Sequence, residues 1–188
     1  MQVGVLAVQG AFIEHIQALH ACGINAKEVR AVDDLEKLEG LIMPGGESTA
    51  IRKLINWNNL KKKILENAAN GMKFFGTCAG AVLLAKEIVG ENKKTFGLID
   101  VSVDRNAYGR QLNSFEADLK IKGIGEFHGV FIRAPVFSKI GESVSVLAEY
   151  DEKIVMVENE NCLITSFHPE LTEDTRVHKY FLNKVKNS

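Results

Sequence analysis

In the first half of the chain, short unbroken apolar runs alternate with segments whose apolar residues recur at helical spacing. Val3 to Val8 is almost wholly apolar, the pattern of a strand covered on both faces in a parallel sheet. Gln9-Gly10 ends it, and Phe12, Ile13, Ile16, Leu19 and His20 then predict a helix that stops at Gly23, a C-terminal cap. Ala26 to Arg30 reads as a second strand, and Asp33 to Leu38 as a short helix with an acidic start. Gly40-Leu41-Ile42-Met43 is a third strand. It breaks at Pro44-Gly45-Gly46-Glu47-Ser48, where Ser48 or Thr49 can cap the next helix. Ile51, Leu54 and Ile55 give that helix its apolar face, and Asn58-Asn59 interrupts it before Leu60, Ile64, Leu65 and Ala68. Phe74-Phe75 forms a fourth strand, followed after a tight turn by the helix-forming run Ala81 to Ala85.

This alternation predicts an α/β fold, a doubly wound and mostly parallel sheet with flanking helices. Ligands of such sheets bind outside the carboxyl ends of the strands. Three loops leave those ends (Gln9-Gly10, Pro44 to Ser48 and Gly76 to Gly80), so all three are expected to open on one crevice. The second half differs. Val101 to Val103, Phe115 to Ile121, Val130 to Ile132, Val144 to Leu147 and Ile154 to Val157 are short strands, some alternating apolar with polar. They predict a small antiparallel portion with one solvated face. Cys162 to Phe167 is a further buried strand ending at His168-Pro169-Glu170, and Val177, Tyr180, Phe181 and Val185 stripe a last helix. No linker, repeat or low-complexity segment interrupts the chain, which reads as a single domain over residues 1–188.

Composition narrows the function classes. Apolar residues at 46% and charged residues at 25% are ordinary for a soluble globular chain. A net charge of −1 gives no electrostatic reason to expect nucleic acid or an anionic membrane as partner. Three cysteines without a Cys-x-x-Cys pair argue against a disulfide framework and against a zinc site. Met1-Gln2-Val3-Gly4-Val5 runs directly into a strand without the layout of a signal peptide, and no apolar run is long enough to span a bilayer. A cytoplasmic location is expected.

Candidate chemistry gathers at the strand ends. Gly76-Thr77-Cys78-Ala79-Gly80, between a strand and a helix, has the layout of a nucleophile elbow with cysteine as the nucleophile. The turn forces Cys78 into a strained conformation, which side chains at 76 and 80 would obstruct, and sets the sulfur at a helix amino end that favours thiolate. A packed cysteine in a strand-to-helix turn would look the same from this pentapeptide alone. A thiol nucleophile needs a base with an orienting partner, and His168 and Glu170 fit those roles, with Pro169 fixing their relation. An oxyanion formed at Cys78 would need donors, for which the N–H of Ala79 and the Gly45-Gly46 backbone are placed. Cys22 at a helix end and Cys162 in a buried strand read as packing residues. His15, His20, His128 and His178 have no partner at ligand spacing and receive no role.

Pro44 to Ser48, Gly76 to Gly80 and His168 to Glu170, in that order and spacing, resemble the class I (triad) glutamine amidotransferases. Further blocks resemble one branch of that class, the PdxT family of glutaminase subunits of pyridoxal 5′-phosphate synthase. These are Val8 to Ala11 with Glu14-His15, Arg105-Asn106 with Gly109-Arg110-Gln111, Ser114 to Asp118, Phe131 to Pro135, and His168 to Asp174. Tyr108 stands where that family often has phenylalanine. The resemblance covers essentially the whole chain and implies a class I amidotransferase-like, flavodoxin-like fold. It also implies hydrolysis of L-glutamine to L-glutamate and ammonia, with Cys78 as nucleophile and His168 and Glu170 as relay. Gly46, Glu47, Ser48, Arg105, Ile132 and Arg133 fall on its glutamine-binding positions. It implies no metal or organic cofactor, pyridoxal phosphate being the product of the complex. The implied partner is a (β/α)8-barrel synthase subunit of the PdxS type in a large hetero-oligomer. The rim of Gln9-Gly10 and Pro44 to Ser48, where ammonia must leave, is the expected docking side.

Three rivals share features of this pattern. A glutaminase subunit of imidazole glycerol phosphate synthase has the same fold and triad but lacks the blocks at 105–118 and 131–135. A DJ-1-type cysteine-elbow redox or glyoxalase-like protein lacks the His-Pro-Glu relay, so Glu170 discriminates. A regulatory module on a decayed scaffold would not keep all three triad residues.

Overall fold

Residues with β-branched, aromatic and other apolar side chains on both faces make the central strands, and each face of the sheet receives its own layer of core. In the computed structural model, which describes residues 1–105 and 114–187, the strands are β1 (Val3–Leu6), β2 (Lys27–Val29), β3 (Gly40–Met43), β4 (Lys73–Thr77), β5 (Ala85–Ile88) and β6 (Ile99–Asp104). They continue as β7 (Ser114–Ile121), β8 (Gly125–Ile132), β9 (Val136–Ser138), β10 (Ser145–Tyr150), β11 (Lys153–Glu158) and β12 (Cys162–Thr165). The helices are α1 (Phe12–Ala21), α2 (Ser48–Trp57), α3 (Leu60–Ala69), α4 (Ala79–Leu84) and α5 (Arg176–Lys186), with short 3-10 turns at Val32–Leu35 and Pro169–Leu171.

The main sheet runs β2-β1-β3-β4-β12-β11-β9-β6-β5, with β10 beside β11. From β2 to β12 every pairing is parallel; β12 to β11, β11 to β9 and β9 to β6 are antiparallel, and β6 to β5 is parallel again. The expected mostly parallel, doubly wound sheet is therefore present, with the antiparallel strands grouped at one side. Successive residues of the central strands point to opposite cores. Leu41, Met43 and Phe74 join Ile51, Ile55 and Ile64 on one face, while Ile42 and Phe75 join Leu19, Phe181 and Val185 on the other.

β7 and β8 form a separate two-stranded antiparallel sheet in an eight-residue register from Ser114 opposite Ile132 to Ile121 opposite Gly125. Its alternating buried and exposed residues give the anticipated solvated face. Phe131 packs between Phe115, Tyr150 and Phe167, which fastens this ribbon to the main body.

Some boundaries differ from the sequence pattern. β5 follows α4 with no turn residue between them, and Lys86 and Glu87 are exposed, so the pattern gives no sign of a strand there. β9 is three residues long and was not anticipated. The cap of α2 is neither Ser48 nor Thr49. Glu47 is extended there (φ −93°, ψ 107°), and its carboxylate accepts from the N–H groups of Thr49 at 2.9 Å and Ala50 at 2.7 Å. A carboxylate reaches both donors and adds charge favourable to the helix amino end, which one hydroxyl cannot.

Candidate active site

β4 delivers its last residue, Thr77, to the carboxyl edge of the sheet, and α4 starts two residues later. Cys78 bridges them in a conformation (φ 47°, ψ −101°) that residues with a side chain rarely adopt. Two glycines make the turn possible. A Cβ on Gly80 would lie 1.9 Å from the Met43 carbonyl oxygen, and one on Gly76 would lie 2.8 Å from the Ala81 nitrogen and the Gly80 carbonyl carbon. The Cys78 N–H donates to the Thr165 carbonyl at 2.8 Å, which ties the elbow to β12. Its sulfur, on a residue 8% exposed, points to the Ile132 carbonyl at 3.6 Å.

β12 runs parallel beside β4, with Thr165 opposite Thr77, so the residues after β12 emerge next to the elbow. The His168 N–H donates to the Val130 carbonyl at 2.8 Å, and Pro169 opens the 3-10 turn that folds Glu170 back onto the imidazole. His168 Nδ1 meets Glu170 Oε1 at 2.7 Å, with both side chains buried. The ring lies on the backbone of Gly45, where a Cβ would come within 2.3 Å of His168 Cε1. Burial alone would lower the His168 pKa, but the neighbouring Cys78 and the hydrogen bond and negative charge of Glu170 outweigh it and raise it to about 10. Burial likewise opposes the Glu170 carboxylate, yet the hydrogen bond from His168 and its positive charge help to hold the pKa below the usual range.

All three strand-end loops open on one crevice, as the topology required. It holds about 1440 Å³ and is lined by Gln9 and Gly10, by Gly45 to Ser48, by Cys78 and Ala79, and by His168. Gly10 packs so closely on the next loop that a Cβ there would lie 2.0 Å from the Gly45 carbonyl oxygen, and Gln9 Oε1 accepts the Glu47 N–H at 2.9 Å. One expected oxyanion donor is already engaged: the Gly45 N–H donates to Thr77 Oγ1 at 2.9 Å. Gly46 and Ala79, the other two expected donors, also line the crevice.

A cysteine on a strained strand-to-helix turn beside a buried His–Glu pair narrows the search to a small group of enzymes, and the comparisons decide within it. The SNO glutamine amidotransferase family matches residues 5–187. The chain belongs to that family. It is 50% identical over 188 residues to the pyridoxal 5′-phosphate synthase subunit PdxT of Desulforamulus reducens, covering 99% of this chain and 100% of that one. It is 54% identical over 182 residues to the subunit of the same name from Thermus thermophilus, covering 96% and 95%. A crystal structure described as a glutamine amidotransferase superposes with a TM-score of 0.94 at 52% identity, covering 99% of this chain and 100% of the other.

The family member's crevice is also lined by every residue expected to bind glutamine: Gly46, Glu47, Ser48, Arg105, Ile132 and Arg133. Two of them carry unforeseen detail. Arg105 is paired with Glu91 at 3.0 Å, so this cation has a carboxylate partner already in the crevice wall. Arg133 has φ 46°, a left-handed backbone just after the Ile132 carbonyl that receives the thiol. Asn106, Gly109, Arg110 and Gln111, which carried part of the resemblance, and Tyr108, which departs from it, lie outside the described residues. Among the described residues no group of His, Cys, Asp and Glu is placed to hold a metal ion, and no helix is long and apolar enough to cross a membrane.

Cys162 is fully buried and its thiol is pushed up to about 12 by burial, the packing residue that its strand implied. The histidines divide. His20 and His128 are at the surface, where His128 meets Asp118 at 2.8 Å and Glu116 at 2.9 Å. His15 and His178, given no role from the sequence, are instead fully buried behind Glu170. His15 Nδ1 meets His178 Nε2 at 3.0 Å, and His15 Nε2 meets Thr77 Oγ1 at 3.1 Å and Glu170 Oε1 at 3.5 Å. Their partners are distant in sequence, so spacing could not reveal them; a histidine inside an otherwise apolar helix face was the only local sign.

Proposed function

We propose that the crevice hydrolyses L-glutamine to L-glutamate and ammonia through a cysteine thioester, with Cys78, His168 and Glu170 as its triad. The observation that carries this reading is the strained Cys78 elbow facing an imidazole whose far nitrogen is held by Glu170 at 2.7 Å. His168 takes the thiol proton as sulfur attacks the side-chain amide carbon. The imidazolium, held through Nδ1 by Glu170, then gives that proton to the departing nitrogen. The N–H groups of Ala79 and Gly46 stabilise the oxyanion. Ammonia leaves, and His168 activates the water that hydrolyses the γ-glutamyl thioester. Arg105 and Arg133 lie on the crevice wall where an α-carboxylate would be met, and the exposed ends of Gly46, Glu47, Ser48 and Ile132 complete the amino-acid site. None of these steps calls for a metal or organic cofactor.

The ammonia passes to a (β/α)8-barrel synthase subunit that makes pyridoxal 5′-phosphate in the cytoplasm, within a hetero-oligomer. The shared naming of relatives at about half identity over the full chain supports this destination. The rim at Gln9-Gly10 and Pro44 to Ser48, where ammonia must leave, is the side on which the partner docks in this reading. A glutaminase working alone would waste glutamine, so the isolated subunit is expected to be weakly active and switched on by docking. The test is ammonia release from glutamine by the purified chain with and without a barrel-type synthase. Release stimulated by the synthase and lost in Cys78→Ala supports the reading; equal turnover with and without synthase removes the docking switch.

A further inference from the structure

We propose that His178, His15 and Thr77 form a one-directional chain of hydrogen-bond donors that holds Glu170 as a carboxylate facing His168 and ties it to the Gly45-Gly46 loop. The proposal rests on Glu170 being the orienting member of the triad. Each link comes from a different element: His178 from α5, His15 from α1, Thr77 from the end of β4 and Glu170 from the turn after β12. The contacts are His178 Nε2 to His15 Nδ1 at 3.0 Å, His15 Nε2 to Thr77 Oγ1 at 3.1 Å and Thr77 Oγ1 to Glu170 Oε1 at 3.4 Å. His15, Thr77 and His178 are 0% exposed.

Only one direction of donation satisfies these contacts. Gly45 N–H donates to Thr77 Oγ1, so this oxygen accepts there and spends its own proton elsewhere. A carboxylate can only accept, which makes the Thr77 O–H the donor to Glu170. His15 Nε2 must then carry a proton, and its Nδ1 must accept from His178 Nε2–H. That leaves His178 Nδ1 as a bare lone pair, and Nδ1 is indeed buried without a partner. Reversing the chain would put a proton on that orphan nitrogen, leaving a buried N–H unsatisfied. It would also set the lone pair of His15 Nε2 at 3.5 Å from the negative Glu170 Oε1.

The forward chain therefore needs both histidines neutral. Burial first of all lowers both, His178 to about 3. The titratable groups acting on Glu170 and on this chain are His168 on its own turn, His15 with Glu14 on α1, and His178 on α5. Three aligned neutral dipoles end on one carboxylate oxygen, where low polarisability of the surroundings strengthens each of them. Thr77 is the junction: the same oxygen that donates to Glu170 receives the Gly45 N–H, so the carboxylate and the oxyanion loop share one anchor. His15, His178 and Thr77 are positioning residues; none touches the substrate.

Glutaminase kinetics against pH in the synthase-containing complex test this, using His15→Leu, His15→Gln, Thr77→Val and Thr77→Ser beside Cys78→Ala. Leu and Val are expected to lower kcat by roughly tenfold or more with KM nearly unchanged, and to move the acid limb of kcat/KM to higher pH, because Glu170 loses donors. Gln, whose amide can present a donor where Nε2 stood, and Ser are expected to restore most of both. Wild-type kcat and an unmoved acid limb in Leu and Val overturn the proposal, as does a loss that Gln and Ser leave unrescued. Activity remaining in Cys78→Ala would instead overturn the triad itself. Histidine ring nitrogen NMR of the unaltered protein gives an answer independent of variant folding: both buried rings are expected as neutral Nε2–H tautomers at neutral pH, and an imidazolium or an Nδ1–H form at either one overturns the chain.

Discussion

Cys78 owes its place to neighbours that leave its strained backbone no alternative, and this makes its role separable from those of the other thiols. Cys78→Ala is expected to reduce ammonia release to background, while Cys22→Ala, at a half-buried helix end, leaves it unchanged. A steady-state ammonia assay on both variants in the same complex checks this, and equal activity in the two would refute the assignment. The geometry of the proposed triad was legible because its parts are local. Gly76 to Gly80 and His168 to Glu170 are each complete within five residues, and each announces its geometry by glycine or proline. His15 and His178 were not legible, since their partners lie 62 to 163 residues away. The Gly45 N–H belongs with them. A glycine pair at a strand end marks a donor-rich turn, but only the fold shows that Thr77 has taken one of those donors.

At the scale of elements, the glycines of the elbow are fitted to β3 as much as to the turn. Gly80→Ala would drive a Cβ to 1.9 Å from the Met43 carbonyl oxygen. The elbow must shift in response, so the variant is expected to lose about 1–3 kcal/mol of stability and most of its activity. Thermal unfolding reads the first effect, at about 2–4 °C per kcal/mol for a chain of this size. At the start of α2 the prediction is milder: Glu47→Ala removes the acceptor of two N–H groups and costs about 0.5–2 kcal/mol, measured by urea unfolding. Because Thr49, the Ala50 N–H and Arg105 depress the Glu47 pKa, that contribution is present above the ordinary carboxylate range and fades as pH falls through the depressed value. Elements with an unbroken apolar run, such as β1 and β3, or a strong helical period, such as α2 and α5, were visible from the sequence. β5 and β9 were hidden because a strand of three or four residues with an exposed middle, or with no flanking turn, has no period to show.

For the molecule as a whole, the two buried histidines set an acid limit on stability. Their folded pKa values lie below the ordinary 6.5, that of His178 at about 3, so on acidification the unfolded chain takes up protons that the folded one refuses. Their contribution is complete above pH 6.5 and is lost as pH falls below it, by up to about 1.4 kcal/mol per pH unit for each ring. Urea titrations between pH 7 and 5 are expected to show this slope, reduced by one ring's share in His178→Gln; an unchanged slope would mean that His178 binds its proton in the fold as readily as in the unfolded chain. The parallel half of the sheet followed from alternating runs and helices, whereas the order of the antiparallel strands did not, because short half-exposed strands can pair in several ways with similar burial. One consequence of the strand order concerns biosynthesis. β12, which lies between β4 and β11, leaves the ribosome after both of them, and His168 follows it. While the nascent chain ends short of Cys162, the sheet has an open seam beside the elbow, and Cys78 has neither His168, its proposed base, nor the Thr165 carbonyl that anchors its N–H. On the proposed mechanism a half-made chain therefore cannot begin consuming glutamine, and the same seam is an unpaired edge, a template for pairing with other strands, until β12 fills it.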